Sequence, residues 1–237
     1  MMVNDLLPKQ EDRTVLRGGG LAGVLGSVVI LVVFAIVAVF VGTFAGPEAE
    51  VAAYPDVQVA RTVENGLYLV ALVAWAVSFA GLYRALRATS PASALYGAVL
   101  GIVSMVVLAA GALPHVVTST ISDLYHAAGT TPAERADLVV AWQASQSVIN
   151  SLLVVGLVIA PLAVLLLGVA MVRTPAFGTR LGRGVVGLGV AGAAAAVVLV
   201  AVPGSPVGVV GILVLVVFHL VVGWRLLRLP ARGSDGS

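Results

Sequence analysis

The sequence predicts an all-α fold, a polytopic membrane bundle of six transmembrane helices with both termini cytoplasmic, and three observations carry that prediction. First, the 237 residues are 60% hydrophobic and only 10% charged, more apolar than ordinary soluble domains. Second, the few charges bound five uncharged runs: Arg17 to Glu48, Glu64 to Arg84, Arg87 to Asp123, Asp137 to Arg173 and Arg183 to Arg225. An apolar run of about 18 residues or more is a candidate membrane span. Third, the cations sort by loop. With the N-terminus inside, eleven of the 13 Lys and Arg residues fall in inner segments, from Lys9 to Arg232, and only Arg61 and Arg135 fall outside. That is the bias expected of cytoplasmic loops in the cell membrane. It accounts for the net charge of +2 without a nucleic-acid partner.

The elements follow in order. A cytoplasmic tail, residues 1–19, leads through Arg17-Gly18-Gly19-Gly20, expected to be a flexible entry to span one at 20–45. The apolar stretch from Leu21 to Ala45 is longer than the 7–15 residues of a signal-peptide core, so a retained helix is expected. Tyr54-Pro55-Asp56 marks an outer loop, and residues 56–65 extend span two (64–85) outward. The short Tyr83-Arg84-Ala85-Leu86-Arg87 turn makes spans two and three (92–115) antiparallel neighbours. In the long outer segment 116–145, Thr131-Pro132-Ala133-Glu134 has the form of a capping box with proline at the first helical position. A helix from 132 to 172, containing span four at 146–172, would be about 60 Å long. It must project from the bilayer or bend, with Pro161 as an available hinge.

The last uncharged run, unbroken, would make a helix twice the hydrocarbon thickness of about 30 Å. Pro203-Gly204-Ser205-Pro206 splits it into spans five (182–202) and six (206–228), because the prolines remove donors and Gly204 permits a tight turn. Residues 20–229 therefore form one transmembrane domain, and 230–237 a cytoplasmic tail. Small residues at four-residue spacing, Gly97 and Gly101, then Gly187, Ala191 and Ala195, predict faces where backbones approach closely.

Polar groups are scarce enough to consider one by one. Within Ala141–Leu153, Gln143, Gln146, Ser147, Asn150 and Ser151 share a helix face. Counting back from Arg173 puts them in the outer headgroup zone, with Trp142 as an interfacial anchor. They read as an amphipathic segment packed on the outer ends of its neighbours, not as a pore lining. His219 lies about 20 Å of helix from Pro206, near the midplane. An ionisable group there is a functional candidate by default. The plainer alternative is a neutral imidazole bonded to a carbonyl, Ser or Asn of a neighbouring helix. The candidate polar site is His219, Asn150, Gln146 and Ser104.

Glu64 and Asn65 read as a solvated helix end. His115 and His219 stand at different depths and cannot share one haem iron. His115, His126 and Asp123 lack the rigid spacing of helical metal ligands. Without cysteine, thiolate chemistry is excluded. No Walker-type, HExxH or GxSxG motif is present. No catalytic residue, cofactor or metal is expected, and the sequence argues against an enzyme.

One resemblance covers roughly residues 18–229. The acidic first outer loop, the short basic YRALR turn, the Ala/Leu/Gln-rich outer helix and the link VRTPAFGTRLGRGVVGLGVAG into span five resemble a bacterial and archaeal six-helix integral membrane family, domain of unknown function 4386. The resemblance implies the six-helix architecture and no activity. Three functions compete. The first is a binding protein, scaffold or partner subunit in the membrane, with the lipid bilayer, another membrane protein or a second copy as partners. The second is a small permease or transporter subunit with a polar site near the midplane. The third, a lipid-acting enzyme, has least support. A cavity reaching His219 would favour ligand binding or transport, and a dry packed bundle a scaffold.

Overall fold

The computed structural model describes residues 7–42, 44–202 and 205–229, with side chains from residue 11 onward. Helix α1 (Leu7–Ile36) ends in a π-helical turn (Val37–Val41). It is followed by α2 (Pro47–Leu86), α3 (Pro91–Ala110), α4 (His115–His126), α5 (Pro132–Val172), α6 (Thr179–Ala201) and α7 (Gly208–Leu227). No strand occurs among the described residues. Six helices are long and apolar enough to cross a membrane, counting α3 and α4 together. Each long helix packs on the next around a closed ring in the order α1, α2, α3, α5, α6, α7 and back to α1. Of the expected hinge between α6 and α7, Pro203 and Gly204 lie outside the described residues, as do Arg232 and the side chain of Lys9. The two helices pack as neighbours.

The glycine triplet is not a flexible entry. Gly18, Gly19 and Gly20 lie within α1, which already begins at Leu7. A Cβ added at Gly19 would stand 2.8 Å from the Cα of Gly81 on α2, and one at Gly20 would stand 2.8 Å from the carbonyl oxygen of Gly223 on α7. The two glycines let α1 press its backbone against both neighbours at once, the close approach that small residues permit between membrane helices. Gly97 and Gly101 on α3 do the same against Leu167 and the ring of Phe79. On α6 only Ala195 of the three expected positions is buried. Gly187 and Ala191 are exposed, and α6 meets α5 through Gly182, Gly189 and Gly192, against Val172, Leu165 and Pro161.

Two helices are about twice as long as the hydrocarbon thickness of a bilayer. α5 runs unbroken for 41 residues, and its Thr131–Glu134 capping box is formed: Thr131 N donates to Glu134 Oε2 at 2.7 Å, and Glu134 N to Thr131 Oγ1 at 3.3 Å. α2 is almost as long, at 40 residues. Tyr54, Pro55 and Asp56, expected in a loop, are helical. Pro55 has no N–H for the carbonyl of Val51 one turn back, and α4 compensates. Ser122 Oγ donates to Val51 O at 3.4 Å, and the ring nitrogens of His126 lie 2.8 Å from the carbonyl of Ser122 and 3.1 Å from that of Ala52, to one of which a neutral imidazole donates. The projecting halves of α2 and α5 close on α4 around a small core of Val51, Tyr54, Ile121 and Trp142. This is the α4 end of the molecule.

The opposite end is basic and tied down. Arg84 pairs with Asp12. Arg225 on α7 donates through Nε to Ala176 O at 3.0 Å in the α5–α6 link. Thr89, after α2, hydrogen-bonds Thr174, after α5.

Candidate functional site

The four residues singled out from sequence do not form one site. Ser104 is fully buried and spends its hydroxyl on the carbonyl of Gly156 at 2.8 Å, joining α3 to α5. His219 is also fully buried. Its Nδ1 meets the carbonyl of Leu215 at 2.9 Å, a group on its own helix and not on a neighbour. Its ring stacks on Trp75 with centroids 4.6 Å apart and meets Phe79 and Phe218 edge-on, both at 4.9 Å. Nε2 has no hydrogen-bond partner among the described residues. Trp75 in turn donates to Ser27 at 3.2 Å, and Ser27 donates to carbonyls on α1 and α7. The middle of the bundle is thus an aromatic box packed around one fully buried imidazole, which lines neither of the two spaces described below.

Gln146 and Asn150 lie elsewhere, on a cavity of about 450 Å³ toward the α4 end. Its floor and inner wall are apolar: Ile30, Val33 and Phe34 from α1, Leu108 from α3, Leu153 from α5 and Ile212 from α7. Its rim is polar. Glu50, Arg61, Glu64, Asn65 and Tyr68 project from α2, His115 from the start of α4, and Gln146 and Asn150 from α5. Val37 of the π-helical turn lines the same space, and such turns recur at functional sites.

The rim is held by a charged network. Glu50 accepts from Trp142 Nε1 at 3.1 Å and from Gln146 Nε2 at 3.2 Å, and stands 3.9 Å from Arg61. Arg61 donates to Glu64 Oε2 at 3.0 Å. Glu64 retains only 14% of its side-chain exposure, and its other oxygen accepts no hydrogen bond among the described residues. Asn65, Tyr68, His115 and Asn150 also line the space, and their side chains make no hydrogen bond among the described residues. Polar groups converging over an apolar floor, within a few hundred cubic ångströms, are the composition of a small-molecule site.

Several expectations change here. Trp142 is buried, edge-on to Tyr54 at 5.2 Å, and so is a core residue of the α4 end rather than a lipid-facing anchor. Glu64 and Asn65 are not a solvated helix end, because α2 continues for four more turns and is covered by α4 and α5. The polar seam divides: Gln146 bonds Glu50, Asn150 lines the cavity, and Ser147 and Ser151 fold their hydroxyls back onto helix carbonyls. Sequence reading missed Glu50, Arg61 and Tyr68 and weighed His115 only as a metal ligand. The signal was present, since residues 50, 61, 64 and 68 recur at helical spacing, but it shows only once α2 is carried back to Pro47.

A second, open groove of about 770 Å³ runs along the outside of the bundle beside the cavity, lined by Ser147, Ser151 and Val155 of α5, Leu199 and Val200 of α6 and Val209 of α7. Asn150, Leu153 and Ile212 line both spaces. No family model matches the chain, and no curated protein or solved structure is significantly similar to it.

Proposed function

We propose that the chain is a multi-pass protein of the cell membrane that binds a small amphiphilic molecule on its non-cytoplasmic side, as a membrane-embedded binding protein or the ligand-sensing subunit of a larger assembly. The observation that carries this reading is the cavity: a rim of charged and unpartnered polar groups over an apolar floor. The basic end, with Arg84, Arg173, Arg180 and Arg225, belongs to the cytoplasm by the positive-inside rule. The cavity then opens outward. A permease working through His219 needs a water path to it, and the aromatic box leaves the histidine no lining position on either space.

Two measurements test this. The chain lacks cysteine, so single cysteines report cleanly. Ala127→Cys should react with a membrane-impermeant maleimide on intact cells, and Ala176→Cys should react only after lysis. The reverse pattern ends the assignment of sides. For binding, protein purified from its own membrane in mild detergent should carry a small molecule in native mass spectra. Asn150→Trp, which places an indole where cavity and groove meet, should reduce its retention about ten-fold, or ~1.4 kcal/mol. A wild-type protein that is always bare would end the binding role.

A further inference from the structure

The cavity and groove together specify what kind of molecule enters and from where, given the binding role proposed above. The groove is lined by side chains on the outside of the bundle, where Val155, Val200 and Val209 are exposed. On a helix that crosses a membrane those positions face lipid chains. It meets the cavity at Asn150, Leu153 and Ile212, so a molecule lying in the outer leaflet reaches the cavity sideways, without crossing water. The apolar floor suits a hydrocarbon chain.

The rim selects the other end. Two carboxylates, Glu50 and Glu64, face one guanidinium, Arg61. Glu50 is already satisfied by Trp142 and Gln146. Glu64 is ion-paired to Arg61 through Oε2 alone; its other oxygen accepts no hydrogen bond among the described residues and is not sealed from the cavity, where it can accept from a donor carrying positive charge. Asn65 lies beside it, and the ring of Tyr68 is one turn along the same helix face. Arg61 donates to Glu64 through Nη1, while its Nε makes no hydrogen bond among the described residues. A phosphate next to the ammonium can reach that Nε, on a guanidinium it would share with Glu64 and Glu50.

We propose that the cavity receives an outer-leaflet lipid whose head group ends in a primary ammonium, entering through the groove past Asn150 and seating the ammonium on Glu64. The test exposes purified protein in detergent to an equimolar mixture of phosphatidylethanolamine, phosphatidylcholine and phosphatidylglycerol, read by native mass spectrometry. Wild type should retain phosphatidylethanolamine about ten-fold over either competitor, the scale of one charge-assisted hydrogen bond. Glu64→Gln should erase the preference while lipid is still retained, and Asn150→Trp should lower retention of all three.

Equal retention of the three lipids by wild type, still lost in Asn150→Trp, overturns the ammonium assignment and leaves the binding role standing. Retention indifferent to Asn150→Trp overturns both. Dodecylamine supplied from water that binds where phosphatidylethanolamine does not overturns the lipid source alone. The wild-type competition needs no variant, so the proposal stays testable even if Glu64→Gln does not fold.

Discussion

The aromatic box around His219 and the rim around Glu50 and Glu64 both hold polar groups, with Trp75 of the box about three helical turns along α2 from Glu64 of the rim, yet they reach opposite outcomes. In the box, all the polar atoms named but His219 Nε2 are absorbed by the fold: Trp75 donates to Ser27, Ser27 to carbonyls of α1 and α7, and His219 Nδ1 to its own helix. They line neither the cavity nor the groove. At the rim, polar side chains on α2 and α5 face one another across open space because both helices run past the bundle and α4 holds them. A polar group deep in a membrane protein therefore says little until its surroundings are known. Helix length decides which polar groups face a cavity.

The first way to break this contrast is to open the box. Trp75 is 1% exposed, stacks on His219 and fits against Gly26. Trp75→Ala should cost about 3–5 kcal/mol, the usual range for emptying a large aromatic site. Reversible unfolding in detergent would read it. A loss under about 1 kcal/mol would show the box to be loosely packed, and the distinction between the two regions would fall.

The rim should respond more mildly. Glu50→Ala leaves Trp142 Nε1 and Gln146 Nε2 without their acceptor and releases Arg61 from one of its carboxylates. Glu50 keeps a quarter of its side-chain exposure, so water replaces part of what is lost, and about 1–2 kcal/mol is expected. The loss should be local. Amide exchange should quicken in residues 47–60 and in the first turns of α5, while the box keeps its protection. Equal acceleration in both regions would show that they unfold as one unit.

The sequence carried the six helices plainly, because bilayer thickness and loop charge act on long stretches and survive local irregularity. It carried the Thr131–Glu134 start of α5 for the same kind of reason: a capping box is a short-range device whose partners are three residues apart. The continuation of α2 was hidden by Pro55. A proline after Tyr54 reads as a loop, and the donors that make it tolerable come from Ser122 and His126, some 70 residues away. With that stretch taken for a loop, Glu50 had no helical register with Arg61 and Glu64, and the rim could not be seen. The glycine triplet was misread for a related reason, since Gly19 and Gly20 matter through Gly81 and Gly223, which only the fold brings near.

That account of Pro55 can be tested. Ser122→Ala should cost about 0.5–1.5 kcal/mol, the net worth of one hydrogen bond, and should loosen the start of α2. Pro55→Ala restores an N–H for the carbonyl of Val51 and removes a residue poorly suited to a helix interior. In its background Ser122→Ala should cost markedly less. Equal costs in the two backgrounds, in a double-mutant cycle, would mean that Ser122 does not stand in for the missing donor.

The smallest effect is expected from the residue that stands out most in the sequence. His219→Leu gives up the ring stack on Trp75, worth about 0.5–1.5 kcal/mol. It also removes a buried nitrogen with no partner, whose burial costs about 1–3 kcal/mol. The lost Nδ1 hydrogen bond to Leu215 costs about 0.5–1.5 kcal/mol more, so losses and gain oppose each other, and stability should shift by no more than about 1 kcal/mol in either direction. Lipid retention should not change at all, since His219 lines neither the cavity nor the groove, and Asn150→Trp in the same assay supplies the contrast. A ten-fold fall in retention on losing His219 would mean that the cavity extends into the box when occupied. The two regions would then be parts of one site, and a path through the bundle would regain its case.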